Sequence, residues 1–435
     1  MAPRRSKVAL EYEEIRQNRR MAVAPRVRKR AVQSRTIVTR EMITQGAIEV
    51  IARAGVPGLT HRAVAEAAGV GLAATTYHFA TKADIIDDAS RTLLEGYLAA
   101  FRRMAARIAA GEEGGIGSLD DLVERVVLNA LGRERTRSLA WSELILHGGR
   151  NAAGKALAQE WYEQLDSVWY EIAGLVDPHA TKEKAAAAID LTVGLTFFLH
   201  PLGLERPALK ALIAGKRDIG RALEKAARAP HPPRTDRGSN KPGTRRAETR
   251  RKIVAAAIDI IIEEGIAGIS NGRVAQATGM VRSGPSYYFS TLEELVEEAE
   301  MALFDRAKGR YRAGLASVSQ ADIDESRLLD LTTAILYREA LEFGRESIGH
   351  YSVWIRAAQE PSLRPAVASS LLDQHRAWSR RIASVFGKPG EGVAMRMQAL
   401  FLGKLIRIIT ASVPASGLSS ARADFADMLD QAKSH

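Results

Sequence analysis

The chain contains no cysteine, which excludes disulfide staples, thiolate-held zinc, iron–sulfur centres and a thiol nucleophile. It also lacks a long hydrophobic run. The longest apolar stretch, Ala185 to Leu199, is interrupted by Asp190 and falls short of the ~18 residues of a membrane span. The N-terminus is arginine-rich without an apolar segment, so no secretory signal is expected. No long period-two alternation and no βαβ pattern occur, whereas Ile43, Ala47, Ile51 and Ala54, like Ile253, Ala257 and Ile261, keep helical spacing. The expected fold class is all-α. The nine histidines are scattered, with no triad, metal set or cofactor loop, so neither an enzyme nor a cofactor or metal is expected. The glycine cluster Gly111–Gly117 follows no strand, and Ser118 after it reads as the cap of the next helix rather than as part of a phosphate loop. A soluble intracellular protein is the remaining expectation.

What is present is uneven charge and internal repetition. The net charge is +11 over 435 residues, a length that calls for two to four domains at roughly 100–200 residues each. Residues 1–40 carry a net +9 and residues 225–252 a net +8, which leaves −6 on the remaining 367. Two basic straps on an acidic body favour polyanions, because each neutralised phosphate releases counterions; solvated tails are the alternative. At a shift of 210 residues, Ala47–Thr81 aligns without gaps on Ala257–Thr291 with 12 identities in 35, against about three expected from average composition. Glycines repeat at Gly55/Gly265, Gly58/Gly268 and Gly69/Gly279, aromatics at Tyr77/Tyr287 and Phe79/Phe289. The register continues through Ser142/Ser352 and Ile145/Ile355, and Gly194 matches Gly403 at 209. The repeat unit is therefore a whole module of about 210 residues, too long for a solenoid repeat. Each strap leads into one copy. Between the copies, residues 226–245 hold four prolines and read as a linker.

Within the first copy, a helix ends near Ala54 with Gly55 as its left-handed exit. Thr60 caps a second helix to Ala67, Gly69 makes a tight turn, and a third helix runs from Leu72 to His78. Phe79 plugs the core and Thr81 caps a fourth helix beginning at Lys82. Two short helices joined by a glycine turn form the arrangement that puts a recognition helix into a DNA major groove. The second copy repeats the elements, but Gly284-Pro285 forces a late start, with Ser283 as cap and Pro285 in the first turn.

The segments GVPGLTHRAVAEAAGVGLAATTYHFATKADII and GIAGISNGRVAQATGMVRSGPSYYFSTLEELV both resemble the DNA-binding domain of the TetR family of transcriptional regulators. The resemblance implies two tandem modules, each a three-helix helix-turn-helix head followed by a helical bundle that senses a small molecule and dimerises. The implied boundaries are a basic arm (1–35), head one (36–82), bundle one (83–225), the linker (226–245), head two (246–292) and bundle two (293–435). Where the family usually has a recognition-helix tyrosine this chain has Thr76 and Ser286, and the family's phosphate-binding lysine, Lys82, is Leu292 in the second copy.

The candidate DNA contacts in head one are Thr60, His61, Arg62 and Lys82 for phosphates, and Thr75, Thr76, Tyr77 and His78 for base edges or nearby phosphates. In head two they are Ser270, Asn271, Arg273, Arg282, Ser283, Ser286, Tyr287 and Tyr288, with Arg282 suited to guanine. Arg26, Arg28, Lys29, Arg30 and Arg35, and Arg245, Arg246, Arg250, Arg251 and Lys252, are candidate backbone or minor-groove arms. Trp141, Glu143, His147, Trp169, Trp354 and Trp378 are ligand-pocket candidates, against plain packing and a surface ion pair; Glu143/His147 lacks further ligands for a metal. The expected partners are a double-stranded DNA operator and a small-molecule effector, with no membrane. The expected state is a functional monomer acting as a pseudo-dimer, or a homodimer, in the cytoplasm with the nucleoid. The bundle joining the halves is expected around 160–215 and 370–412. A DNA-coating architectural protein, or a second head that only scaffolds, is the alternative.

Overall fold

The computed structural model describes residues 36–112, 114–229, 245–315, 323–387, 392–411 and 420–433. All regular structure among them is helical, and they form two compact units, one around residues 36–47 and Thr60–Ala89, the other comprising Ile48–Leu59 and the chain from Ser90 onward.

The first unit is built from the N-terminal turns of α1 (residues 36–54), from α2 (His61–Ala68) and α3 (Leu72–His78), and from the start of α4 (Lys82–Ala109). Thr60 Oγ1 accepts from the Ala63 amide, satisfying one orphan donor at the start of α2. Gly69 ends that helix at φ 65°, in the left-handed region. Ile43, Ala47, Val64, Ala65, Phe79, Ile85 and Ala89 fill the core. Small residues let α1 and α2 touch, since a Cβ on Gly46 would lie 2.9 Å from the Cβ of Ala68. Arg40 braces the unit from outside, pairing with Asp88 and lying 5.2 Å over the Phe79 ring.

The second unit continues with α5 (Leu119–Ala130), α6 (Arg135–Gly148), α7 (Ala152–Val176), α8 (Lys182–Leu199), α9 (Arg206–Ile213) and α10 (Ile219–Ala227). Ser118, Asn151 and Thr181 cap α5, α7 and α8 through side-chain oxygens. Next come α11 (Arg245–Glu264), α12 (Asn271–Thr278), a 3-10 turn at Pro285–Tyr287, α13 (Leu292–Leu315), α14 (Glu325–Glu342), α15 (Gly344–Gln359), α16 (Arg364–Phe386), α17 (Val393–Ala411) and α18 (Ala421–Lys433). From α11 to α17 the order follows α1 to α8, with the 3-10 turn in the place of α3.

Helices α8 and α17 form the largest helix–helix contact, and glycine makes it possible. A Cβ on Gly194 would sit 1.7 Å from the Ala399 carbonyl oxygen, and one on Gly403 would sit 1.7 Å from that of Asp190. The contact is reciprocal: each glycine meets the residue four positions before the other. Beside it lies a one-sided charge cluster. Asp190, 2% exposed, accepts from Arg407 Nε at 2.5 Å and Lys404 Nζ at 3.2 Å. Arg407 also grips both oxygens of Asp166 at 2.9 Å, and Lys404 pairs with Asp424 at 2.5 Å. The sequence-equivalent positions of Lys404 and Arg407 on α8 are Leu195 and Phe198. Helix α10 packs on α16, and α7 on α17; α10 lies beyond the expected joining region of 160–215 and 370–412, whereas α9 lies within it.

Several expectations change. The stretch Lys182–Leu202 is long and apolar enough to cross a membrane by length and composition, because Asp190 interrupts it only once, but 89% of its apolar window is buried in the protein. The arm (1–35) lies outside the described residues, as does the linker from 230 to 244. The second strap is a tail only in part. Its residues from Arg245 to Lys252 are the first turns of α11, where helical backbone and the Arg250 ion pairs hold them.

Crosswise hydrogen bonds tie the halves again at the first helix of each. The Ala52 carbonyl accepts from the Gln359 side chain and the Arg53 carbonyl from Arg356, while the Ile262 carbonyl accepts from Arg150 Nε at 3.2 Å. Glu143 is buried there, so close to Gly55 (φ 66°) that a Cβ would lie 3.0 Å from its carboxylate. Burial raises the Glu143 carboxyl from 4.5 to about 7, opposed by Arg150 and Arg356.

Two outcomes follow from this packing. Gly194→Ala or Gly403→Ala should destabilise the protein by about 3 kcal/mol, the upper part of the overpacking range. Gly174→Ala, on an exposed stretch of α7 with nothing within 4 Å, should stabilise by about 0.5–1 kcal/mol; urea midpoints compare them. Between pH 4.5 and 7 the folded state holds the Glu143 proton that the unfolded chain has released, so stability falls as pH rises through that window. The loss is of the order of 3 kcal/mol. In Glu143→Gln that part of the slope should vanish, measured as the difference in urea midpoint between variant and parent at pH 5 and pH 8.

Candidate nucleic-acid interface

In the first unit α3 presents an exposed face. Tyr77 is 79% exposed and Leu72 52%, and Ala73 and Thr76 are exposed beside them. Large apolar side chains left in water on a seven-residue helix mark a surface that meets something else. Tyr77 is steadied by an edge contact with His78, ring centroids 5.2 Å apart. Thr60 and Arg62 are exposed at the start of α2, where backbone N–H groups without helical partners favour an anion. His61 and Lys82 are half-buried, and burial lowers the Lys82 pKa.

Thr75 is a correction. It is wholly buried, its hydroxyl donating to the Leu72 carbonyl at 2.8 Å and lying 3.3 Å from His61 Nδ1. It joins α3 to α2 instead of facing outward, because at 3.6 residues per turn the position two before Tyr77 points to the opposite side from the tyrosine.

The second copy keeps the scaffold and loses the helix. Ser270 caps α12 by accepting from the Arg273 amide, and Gly279 ends it at φ 69°, as in the first copy. The expected recognition helix capped by Ser283 does not form: a 3-10 turn, Pro285–Tyr287, is preceded by Gly284 as its N-cap. Pro285 has no N–H to give, and Ser283 offers its carbonyl to the Ser286 hydroxyl at 2.7 Å. Asn271, Arg282 and Ser283 are exposed and Tyr287 is 69% exposed, while Ser286 and Tyr288 are half-buried. Arg273 is committed to Glu264 and, at 2.9 Å, to Gln276. Val281, 75% exposed, adds an apolar side chain that the sequence reading passed over.

A pair of braces was also missed. Arg250 pairs with Glu294 and Glu298 and lies 4.0 Å over Phe289, repeating at a shift of 210 what Arg40, Asp88 and Phe79 do. The signal was in the sequence, since Arg40/Arg250 and Asp88/Glu298 fall in the repeat register just outside the aligned block. Arg246 donates to the Tyr287 carbonyl at 3.2 Å and lies 5.2 Å over Tyr288.

The tryptophans are chiefly packing. Trp169 meets Phe101 edge-on at 5.7 Å, and Trp141 leans on Trp161 and Phe197. Trp354 donates to Glu300 at 3.3 Å, and Trp378, half-buried, contacts Phe401. His147 lies 3.0 Å from the Asn151 amide nitrogen, and no group of three or more metal-binding side chains occurs among the described residues. One cavity in this unit is lined by Arg135, His200 and Arg364 and by none of these six candidates.

Comparison with known proteins places this geometry. Residues 43–89 match the family of bacterial regulatory proteins, tetR family. The HTH-type transcriptional regulator CymR of Pseudomonas putida is 28% identical over 123 residues, 28% of this chain and 58% of that protein, so the match spans little more than half of the relative. Among solved structures, the transcriptional regulator SCO7518 of Streptomyces coelicolor A3(2) is 23% identical over 42% of this chain and 98% of its own, at a TM-score of 0.35. The multidrug binding protein EbrR, complexed with imidazole, is 20% identical over 41% and 94%, at 0.32. Residues 43–89 of this chain carry a helix-turn-helix domain of the TetR regulatory family.

Proposed function

We propose that this protein is a ligand-responsive DNA-binding transcriptional regulator, a repressor in kind, whose one chain supplies both heads to a non-palindromic operator. The observation that carries the proposal is the repeat. Two capped helix–turn segments stand 210 residues apart, and one apolar helix from each copy, α8 and α17, meet through the reciprocal glycines Gly194 and Gly403. A symmetric dimer joins two copies of one surface; here the two surfaces belong to one polypeptide. Because Leu72–His78 and Arg282–Tyr288 differ in sequence and in backbone, they suit unlike half-sites. The loss of the second recognition helix, the Arg273–Glu264 pair and Leu292 favour one variant of this reading, in which head two contacts DNA weakly and chiefly scaffolds head one.

Selection of bound genomic fragments, footprinting and mass measurement of the complex test the proposal together. One chain per operator with unlike half-sites is the expected result; two chains on a perfect palindrome overturn it. Sequence-independent affinity with a steep salt slope points instead to an architectural protein. Lys82→Ala and Tyr77→Ala should each weaken operator binding by about tenfold, the order of one lost polar contact. Arg282→Ala should cost about 1–3 kcal/mol and relax the choice of base at one position if head two reads sequence, and should change nothing if it scaffolds.

A further inference from the structure

We propose that the cavity between the 3-10 turn ending α8 and the N-terminus of α16 is a binding site for a small organic anion with an apolar body. The inference deepens the regulatory reading and rests on it only for the meaning of binding, not for the site.

The cavity holds about 400 Å³, within the range of small-molecule pockets. Its lining draws on both halves of the chain: Arg135, Leu199 and His200 from the first, Gln359 and Arg364 from the second. The two guanidinium groups set its character. Arg135 donates to the Ala358 carbonyl at 2.5 Å and Arg364 to the Ala357 carbonyl at 3.2 Å. Neither pairs with a carboxylate among the described residues, although most other half-buried arginines of this unit do. A guanidinium has five N–H donors, so each retains donors and its whole charge. Burial and the nearby Arg135 together depress the Arg364 pKa, and burial depresses that of Arg135. Two like charges held in one partly dry cavity cost free energy that an anion between them would recover.

The rest of the lining fits the same ligand. Arg364 reaches into place over Gly203, at φ 57°, where a Cβ would lie 2.6 Å from the guanidinium; the glycine keeps that space clear. His200 is 1% exposed and contacts Ser138 through Nε2 at 2.9 Å. Its Nδ1 is buried without a hydrogen-bond partner among the described residues. Burial and Arg135 hold its pKa down to about 3, so the ring is neutral and adds no third charge. Leu131, Leu199, Leu204 and Leu209 supply the smaller, apolar part of a lining that is mostly polar. Inorganic phosphate would leave that part bare, whereas a carboxylate or sulfonate on a hydrocarbon frame meets both chemistries. The site is also linked to the first helix of the chain, because Gln359, which lines it, donates to the Ala52 carbonyl in the last turns of α1.

The test uses the full chain. It is titrated with 8-anilinonaphthalene-1-sulfonate and, in parallel, with uncharged N-phenyl-1-naphthylamine. The expected result is saturable binding of the sulfonate alone, competed by benzoate and octanoate but not by benzamide. Arg135→Gln and Arg364→Gln should each weaken it about tenfold or more, the loss of one charge-assisted contact, whereas the exposed Arg133→Gln should not. Each variant also loses its bond to an α15 carbonyl, so the stability readout is the ligand's effect: the sulfonate should raise the melting temperature of the parent and of Arg133→Gln but not of either cavity variant. Equal binding of the neutral compound, undiminished binding by both variants, or no saturable binding overturns the proposal. Operator binding measured on the same samples separates the two readings. Anion binding without any operator sinks the regulator and leaves the site, and operator binding without anion binding does the reverse.

Discussion

The contact on which the molecule depends is the closest one, where α8 and α17 cross with no side chain between them. Gly194 and Gly403 let two backbones approach until each carbonyl occupies the place of the other helix's missing Cβ. Such an approach recruits dispersion along the whole length of both helices, and it fixes where they cross. Everything else in the larger unit is positioned from that crossing: α7 lies against α17, α10 reaches across to α16, and α6 and α15 meet near the ends of α1 and α11. Glycine at these positions weakens each isolated helix, a cost the packing offsets.

The buried charges beside the crossing have a different role. Taking Asp190, Lys404 and Arg407 out of water is expensive, and a well-packed apolar cluster would stabilise the fold as well or better. What the cluster supplies is discrimination. Pairing α8 with a second α8 would bury two carboxylates with no cation, and pairing α17 with a second α17 would oppose four cations with only the two Asp424 carboxylates beside them. Only the unlike pairing satisfies the groups, so the charges select the partner that the glycines then hold.

Much of this was legible in the chain, for reasons that differ from residue to residue. Caps and left-handed exits are local chemistry, so Thr60, Gly69, Ser270 and Gly279 announce themselves. The repeat announced the glycine pair, because a glycine kept in register inside an apolar stretch has few uses other than close approach. The charge cluster was not legible: Asp190 looked like an interruption in an apolar run, since its cations lie more than two hundred residues away. Thr75 was misplaced by reading a short helix as a list of polar residues without its inward side. The second recognition segment was misread because a proline tolerable in a helical first turn was here sufficient to prevent the helix. The cavity beside α16 was not legible, because it is marked by arginines that no short-range pattern connects.

In an interface between identical subunits, any substitution appears twice across the symmetry axis, so a single carboxylate can never be met by a cation introduced only on the other side. The one-sided arrangement of Asp190 against Lys404 and Arg407 breaks that rule. Joining both surfaces in one gene frees each to change alone, and the same freedom extends to every feature built where the two surfaces meet.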